Sequence, residues 1–158
     1  MVTQVAVPAA PTLSQTPAGA LAATTYFVKL TWVTAAGESL AGAEAHFAAS
    51  IKNVLVVTPP AAPLGAQGVP AVTGYNVYVS NTGGGGSGAE TKQAGPIALG
   101  TAWTEPTSGL VGGAAVPSIG NASPAGAVQP IGQPYPQQPL QAGAGAPGIA
   151  DWRSPEQR

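Results

Sequence analysis

The stretch GYNVYVSNTGGGGSG, residues 74–88, carries two conflicting signals. Its first half alternates. Tyr75, Val77 and Val79 fall on one side of an extended chain and Asn76, Tyr78 and Ser80 on the other, which is the period of a β-strand. Its second half satisfies G-x-G-x-x-G through Gly83, Gly85 and Gly88, a spacing that after a strand can mark a nucleotide-binding loop. Such a loop works because a helix starts directly behind it and aims free N–H groups and a dipole at the phosphate. Here AETKQAGP follows, too short for a crossover helix and stopped by Gly95-Pro96. No lysine stands in a GK[ST] arrangement. The strand also lacks the continuous aliphatic run of a buried parallel strand. Residues 74–88 therefore read as an antiparallel strand and a flexible hairpin connection leaving it.

Two further stretches repeat the strand signal. In TTYFVKLTWVT, Tyr26, Val28, Leu30 and Trp32 share one face, against Phe27, Lys29, Thr31 and Val33 on the other. NVLVVT is a second apolar run, closed by Pro59-Pro60, which cannot continue a ladder. Weaker strand signals lie at 90–93, 96–99 and 101–104. Helix is scarce: 40–49 alone has fair helical propensity, weakened by Gly42, and 43–49 equally fits a strand returning from the turn at 35–38. Short strands punctuated by Gly and Pro predict an all-β, antiparallel sandwich.

Composition narrows the function. Only 7% of residues are charged while 44% are hydrophobic, which describes neither a solvated disordered chain nor a protein kept soluble by charge. It fits a protein packed against copies of itself or against partners. The net charge of −1, with basic residues scattered, predicts no direct nucleic-acid contact. The chain has no cysteine, so disulfides and thiolate metal sites are excluded. MVTQVAVPAAPTL has no basic n-region or long apolar run, so a standard signal peptide is not expected. No segment approaches the roughly 18 apolar residues of a membrane span, so no membrane partner is expected.

From residue 118 to 158 the composition shifts to Pro, Gly, Ala and Gln, with no period of 2 or 3.6. Such a segment favours extended or polyproline conformations and builds no core. The organisation predicted is an N-terminal arm at 1–7, a sandwich at 8–117 and a long extended C-terminal arm at 118–158. Tyr135 and Trp152 lie in that arm, where no local core can bury them. They are the candidate arm-anchoring contacts, since aromatic residues commonly anchor interfaces.

NVLVVTPPAAPLGAQGVPAVTGYNVYVS resembles the second- and third-strand region of a fibronectin type III domain, through Leu55, Val57, Pro60, Gly74, Tyr75, Val77 and Tyr78. The family's core tryptophan on the first of these strands is absent, with Pro59 near its place; Trp32 and Trp103 are the candidates to fill that volume. TYFVKLTWVTAAGESLAGAEA resembles the last two strands of the same fold, yet here it precedes the strands it normally follows. GTAWTEPTSGL resembles the strand and leucine turn that ordinarily lead into that hairpin. The resemblance implies a permuted sandwich, or one whose hairpin is exchanged between subunits. TYFVKLTWVTAAGESLA with GYNVYVS downstream is also similar to immunoglobulin-like modules in virion proteins of tailed bacteriophages, which implies a structural role and no catalytic residues.

Residue types that could carry chemistry are few. His46 is the sole histidine and has no cysteine or second histidine as partner; with Glu44 on the same strand face it reads as a solvated polar pair. Glu38, Glu44, Glu90 and Glu105 sit on different strands and turns, and a glycosidase-like pair among them would form only in three dimensions. Asn121-Ala122-Ser123 matches the glycosylation pattern without a secretion signal. No catalytic residue, cofactor or metal is expected. The expectation is a non-enzymatic structural protein of a bacteriophage virion, either capsid decoration or a neck or tail accessory, whose partners are other virion proteins and copies of itself. The rival is a fibronectin-like module that binds carbohydrate or a host surface, and a small hydrolase is the third class.

Overall fold

The structure, a computed structural model, describes residues 5–65 and 67–119. Tyr135, Trp152 and Asn121 lie outside the described residues, as does nearly all of the predicted arm. Among the described residues eight strands occur in chain order: β1 (Thr12–Pro17), β2 (Thr24–Thr34), β3 (Gly37–Glu38), β4 (Ala45–Ala49), β5 (Asn53–Thr58), β6 (Val72–Asn81), β7 (Thr91–Ala98) and β8 (Trp103–Thr104). They form two antiparallel sheets. One has the order β1-β5-β8; the other runs β3-β2-β6-β7, with β4 also paired to β2. The sheets pack as a sandwich, and the fold is all-β.

The period-2 stretches become the centre of the molecule. β2 pairs with β6 so that Val28 faces Val79, Leu30 faces Val77 and Trp32 faces Tyr75. These residues, with Tyr26, Leu55 and Val57, form the core. Trp32 fills the central volume and Trp103 packs at its margin. A fully buried residue of this size contributes on the order of 3 kcal/mol through burial. Val5 is also buried in this core, so the packed body reaches ahead of residue 8.

Several weaker expectations change. Within the segment with helical propensity at 40–49, residues 45–49 form β4, because Phe47 and Ala49 face Tyr26 and Thr24 across the ladder and pairing with β2 outweighs intrinsic preference. The signals at 90–93 and 96–99 merge into one strand, β7, with register shifts between its pairings to β6. The signal at 101–104 shortens to two residues. β1 was not legible at all: TLSQTP has no apolar alternation, and five of its six residues stay exposed. It is held by pairing with β5, from Thr12 opposite Thr58 to Pro17 opposite Asn53.

The hairpin of β2 and β4 pairs with β6 of the same chain. The two links that place this hairpin ahead of β5, residues 18–23 and 50–52, lie at one end of the sandwich. There the Lys52 amide donates to the Leu21 carbonyl and the Ala18 amide to the Lys52 carbonyl. The glycine-rich loop and residues 105–112 reach the same end, called the lower end below.

Candidate functional site

The lower end collects most of the described charge, and it begins with a strand that stops early. β8 pairs Trp103 with Val57 and Thr104 with Val56. At the next residue the Glu105 amide donates to the Leu55 carbonyl, 2.9 Å away. The Glu105 carboxylate then bends back and accepts the Leu55 amide at 3.0 Å. A side chain thus finishes the ladder, and the chain can leave through Pro106, which has no amide proton to pair. The same carboxylate accepts the Tyr26 hydroxyl at 2.7 and 2.9 Å. Tyr26 belongs to the opposite sheet, so Glu105 joins the two sheets. Burial, then the hydrogen bond and charge of Glu105, push the Tyr26 hydroxyl well above its ordinary range.

A second cluster fastens the glycine-rich loop. Asn81 caps a 3-10 turn at Thr82–Gly84 by accepting the Gly84 amide. The backbone then turns at Gly85, Gly86 and Gly88, all with positive φ, and enters β7 rather than a helix. Neither the nucleotide loop nor a slack connection results. The Ser80 hydroxyl donates to the Gly86 carbonyl, and the Ser87 hydroxyl donates to both oxygens of Glu44 at 2.9 Å. Glu90, 2% exposed, accepts the Gly88 amide at 3.0 Å. The Lys29 ammonium on β2 bridges Glu90 at 3.0 Å and Glu44 at 3.1 Å. Burial alone would raise the Glu90 carboxyl. Contact with the Glu44 carboxyl, the Gly88 and Glu90 amides and Lys29 outweigh it and hold Glu90 down at about 2. Burial likewise opposes the charge on Lys29, yet its two glutamates raise its affinity for the proton.

A third cluster lies farther up the same outer face. Glu38, the predicted turn residue, accepts the hydroxyls of Thr31 and of Tyr78, the latter at 2.7 Å. Burial would raise its carboxyl, but hydrogen bonds from Asn76, Thr31 and Tyr78, with the charge of Lys92, lower it.

Two clefts of about 350 Å³ open at the lower end, on either side of Leu110. One lies between Val79, Thr91 and Val111; the other is bounded by Leu21, Thr24 and Asn81, with Tyr26 and Glu105 in its lining. Residues 111–115 pass along the free edge of β7. The Gln93 side chain holds the Val111 amide and carbonyl at 2.8 and 2.7 Å, as a neighbouring strand would. Gly113 fits because a Cβ there would stand 2.0 Å from the Lys92 carbonyl oxygen.

The structure thus disperses the four sequence-predicted acids into three separate networks and brings together only Glu44 and Glu90, across Lys29. His46 is exposed on β4, and the polar pair predicted with Glu44 gives way to contacts of Glu44 with Lys29 and Ser87. Among the described residues no group of three His, Asp or Glu side chains stands close enough to hold a metal ion. Sequence reasoning missed Lys29, Tyr26 and Ser87 as partners of these acids; Lys29, as a lone charge on an otherwise apolar strand, was the available signal for a buried ion pair. No family model, curated protein or solved structure matches the chain.

Proposed function

We propose that the chain is a non-enzymatic structural component of a bacteriophage virion, a capsid decoration or a neck or tail accessory, that assembles through its sandwich and its C-terminal segment at 118–158. One observation carries the assembly reading. Among the described residues Lys52 is the sole exposed charged residue; every glutamate and Lys29 are half-buried or buried in the networks above, and Lys92 is half-buried. Proteins that live free in solution ordinarily keep a dense, mixed layer of surface charge. A neutral surface suits one that is covered by permanent neighbours, and Val111, Ile51, Leu64 and Ile119 add exposed apolar contact area.

The virion setting rests on the resemblance of TYFVKLTWVTAAGESLA and GYNVYVS to phage modules. The strand orders β1-β5-β8 and β4-β2-β6-β7 support the likeness to a fibronectin-like sandwich with its hairpin moved forward. Against sugar binding, the exposed large hydrophobic residues among those described include no aromatic ring to stack on a sugar face. The partners proposed are other virion proteins and further copies, with no nucleic acid or membrane.

The test is sedimentation of the purified full chain, together with mass spectrometry of purified particles. A self-associating chain found at a fixed copy number per particle is expected. A monomer that stays soluble at high concentration and is absent from particles would sink the reading.

A further inference from the structure

The Glu105 cleft holds an electrostatic imbalance that its structural role does not remove. Glu105 is 3% exposed, and its carboxylate receives two protein donors, the Tyr26 hydroxyl and the Leu55 amide. Both are neutral. Those two donors make three hydrogen bonds across its two oxygens, and a carboxylate offers about four lone-pair positions, so a further N–H can be accepted. A buried charge without an opposite charge is costly, and it favours any cation that can approach. Among the described residues the ion pairs are those of Lys29 with Glu44 and Glu90, and no lysine reaches Glu105. The contrast with Glu90 is direct: equally buried, it has an ammonium at 3.0 Å.

The shape of the cleft says what kind of cation fits. A volume of about 350 Å³ is at the small end of ligand sites, sized for one side chain rather than a large metabolite. Leu21, Ala22 and Leu110 offer apolar walls for a methylene stem, while Thr24 and Asn81 add polar side chains to the lining. Hard divalent ions need six or more oxygen ligands or a rigid octahedral set, and a single carboxylate does not make one. A guanidinium does better: it is planar, weakly hydrated and built to bond a carboxylate with several N–H groups at once.

We propose that this cleft is a binding site for a guanidinium on a short alkyl stem, an arginine side chain presented by a partner polypeptide. Glu105 supplies the charge, and Leu21 and Leu110 grip the stem. The site is separate from the assembly reading, since it specifies a single-residue recognition event that a monomer would also show.

The experiment is a titration of the full chain, labelled with ¹⁵N, with N-acetyl-arginine amide, followed at the Leu55 and Leu110 amides. N-acetyl-citrulline amide, the uncharged isostere, serves as the parallel ligand. Saturable shifts with a Kd on the order of 1 mM are expected for the arginine probe. At least about tenfold weaker binding is expected for citrulline, and the same loss for Glu105→Gln, which keeps an oxygen to accept from Tyr26 and Leu55. Raising salt should weaken the arginine probe and leave citrulline unchanged. Should Glu105→Gln fail to fold, the arginine–citrulline difference on the unaltered chain still decides. Equal affinity for both probes, no shift at Leu55 and Leu110, or full affinity in Glu105→Gln would overturn the proposal.

Discussion

The two faces of the central strands β2 and β6 are both largely buried, by opposite means. On the inner face Val28, Leu30 and Trp32 of β2 meet Val79, Val77 and Tyr75 of β6, and apolar area removed from water holds them. On the outer face the same strands place Lys29 opposite Tyr78, Thr31 opposite Asn76 and Phe27 opposite Ser80. Thr31, Asn76, Tyr78 and Ser80 are nonetheless buried. There the cover is a set of hydrogen bonds and ion pairs centred on Glu38 and Glu90, with the glycine-rich loop fastened down beside them. The inner face is non-directional and tolerant of small errors; the outer face depends on donors meeting acceptors, and among the described residues it leaves the buried Asn76 Oδ1 without a partner. A sheet can therefore be two-sided without a second hydrophobic layer.

The comparison breaks most readily from the inside. Trp32→Ala should cost about 3–5 kcal/mol, because it opens a cavity in the centre of the core where neighbours cannot collapse fully. The measurement is equilibrium urea unfolding with unchanged slope. A loss below about 1 kcal/mol would mean that the inner face is not the main source of stability.

On the outer face, Glu90→Gln should cost about 1.5–3 kcal/mol, since it removes one of the two carboxylates on Lys29 and weakens the bond from the Gly88 amide, while Glu44 stays paired. Unlike the tryptophan loss, this one depends on pH. The folded value of Glu90, about 2, lies below the ordinary 4.5. Folding therefore gains from its charge fully above pH 4.5, and that gain drains away as pH falls through that window toward 2. The stability difference between the unaltered chain and Glu90→Gln should shrink over the same range, while the Trp32→Ala difference stays flat. A Glu90 difference that is constant from pH 6 to about 3 would show that the network holds by shape and not by charge.

The same contrast explains what was legible in the sequence. The inner face is a local pattern: TTYFVKLTWVT and GYNVYVS each state which residues turn inward, NVLVVT marks a third strand, and β2 and β5 occupy their stretches end to end. The outer face is not local. Lys29 and Glu90 are 61 residues apart and Glu38 and Tyr78 are 40 apart, so no spacing rule connects them. β1 escaped for a related reason, since a strand held by backbone pairing on an exposed edge needs no apolar alternation. The glycine-rich loop was half legible. The absence of a following helix argued against a nucleotide-binding loop, but the contacts that tie it down come from Ser80 and Asn81 of β6 and from Glu44 ahead of β4.

The smallest effect tests whether those ties matter to the loop alone. Ser87→Ala removes the hydroxyl that donates to Glu44 and leaves the Lys29 bridge in place. The expected cost is about 0.5–1 kcal/mol, the usual net value of an exposed hydrogen bond to a charged acceptor screened by water. Its signature should be local. Amide exchange should quicken at residues 83–89, where the glycines have few other contacts, while β6 and β7 keep their protection because their ladder is untouched. If exchange instead quickens across β6 and β7, the loop and the outer face open as one unit. If nothing changes, the Ser80 and Asn81 contacts alone hold the loop, and the outer-face network stops at Glu90.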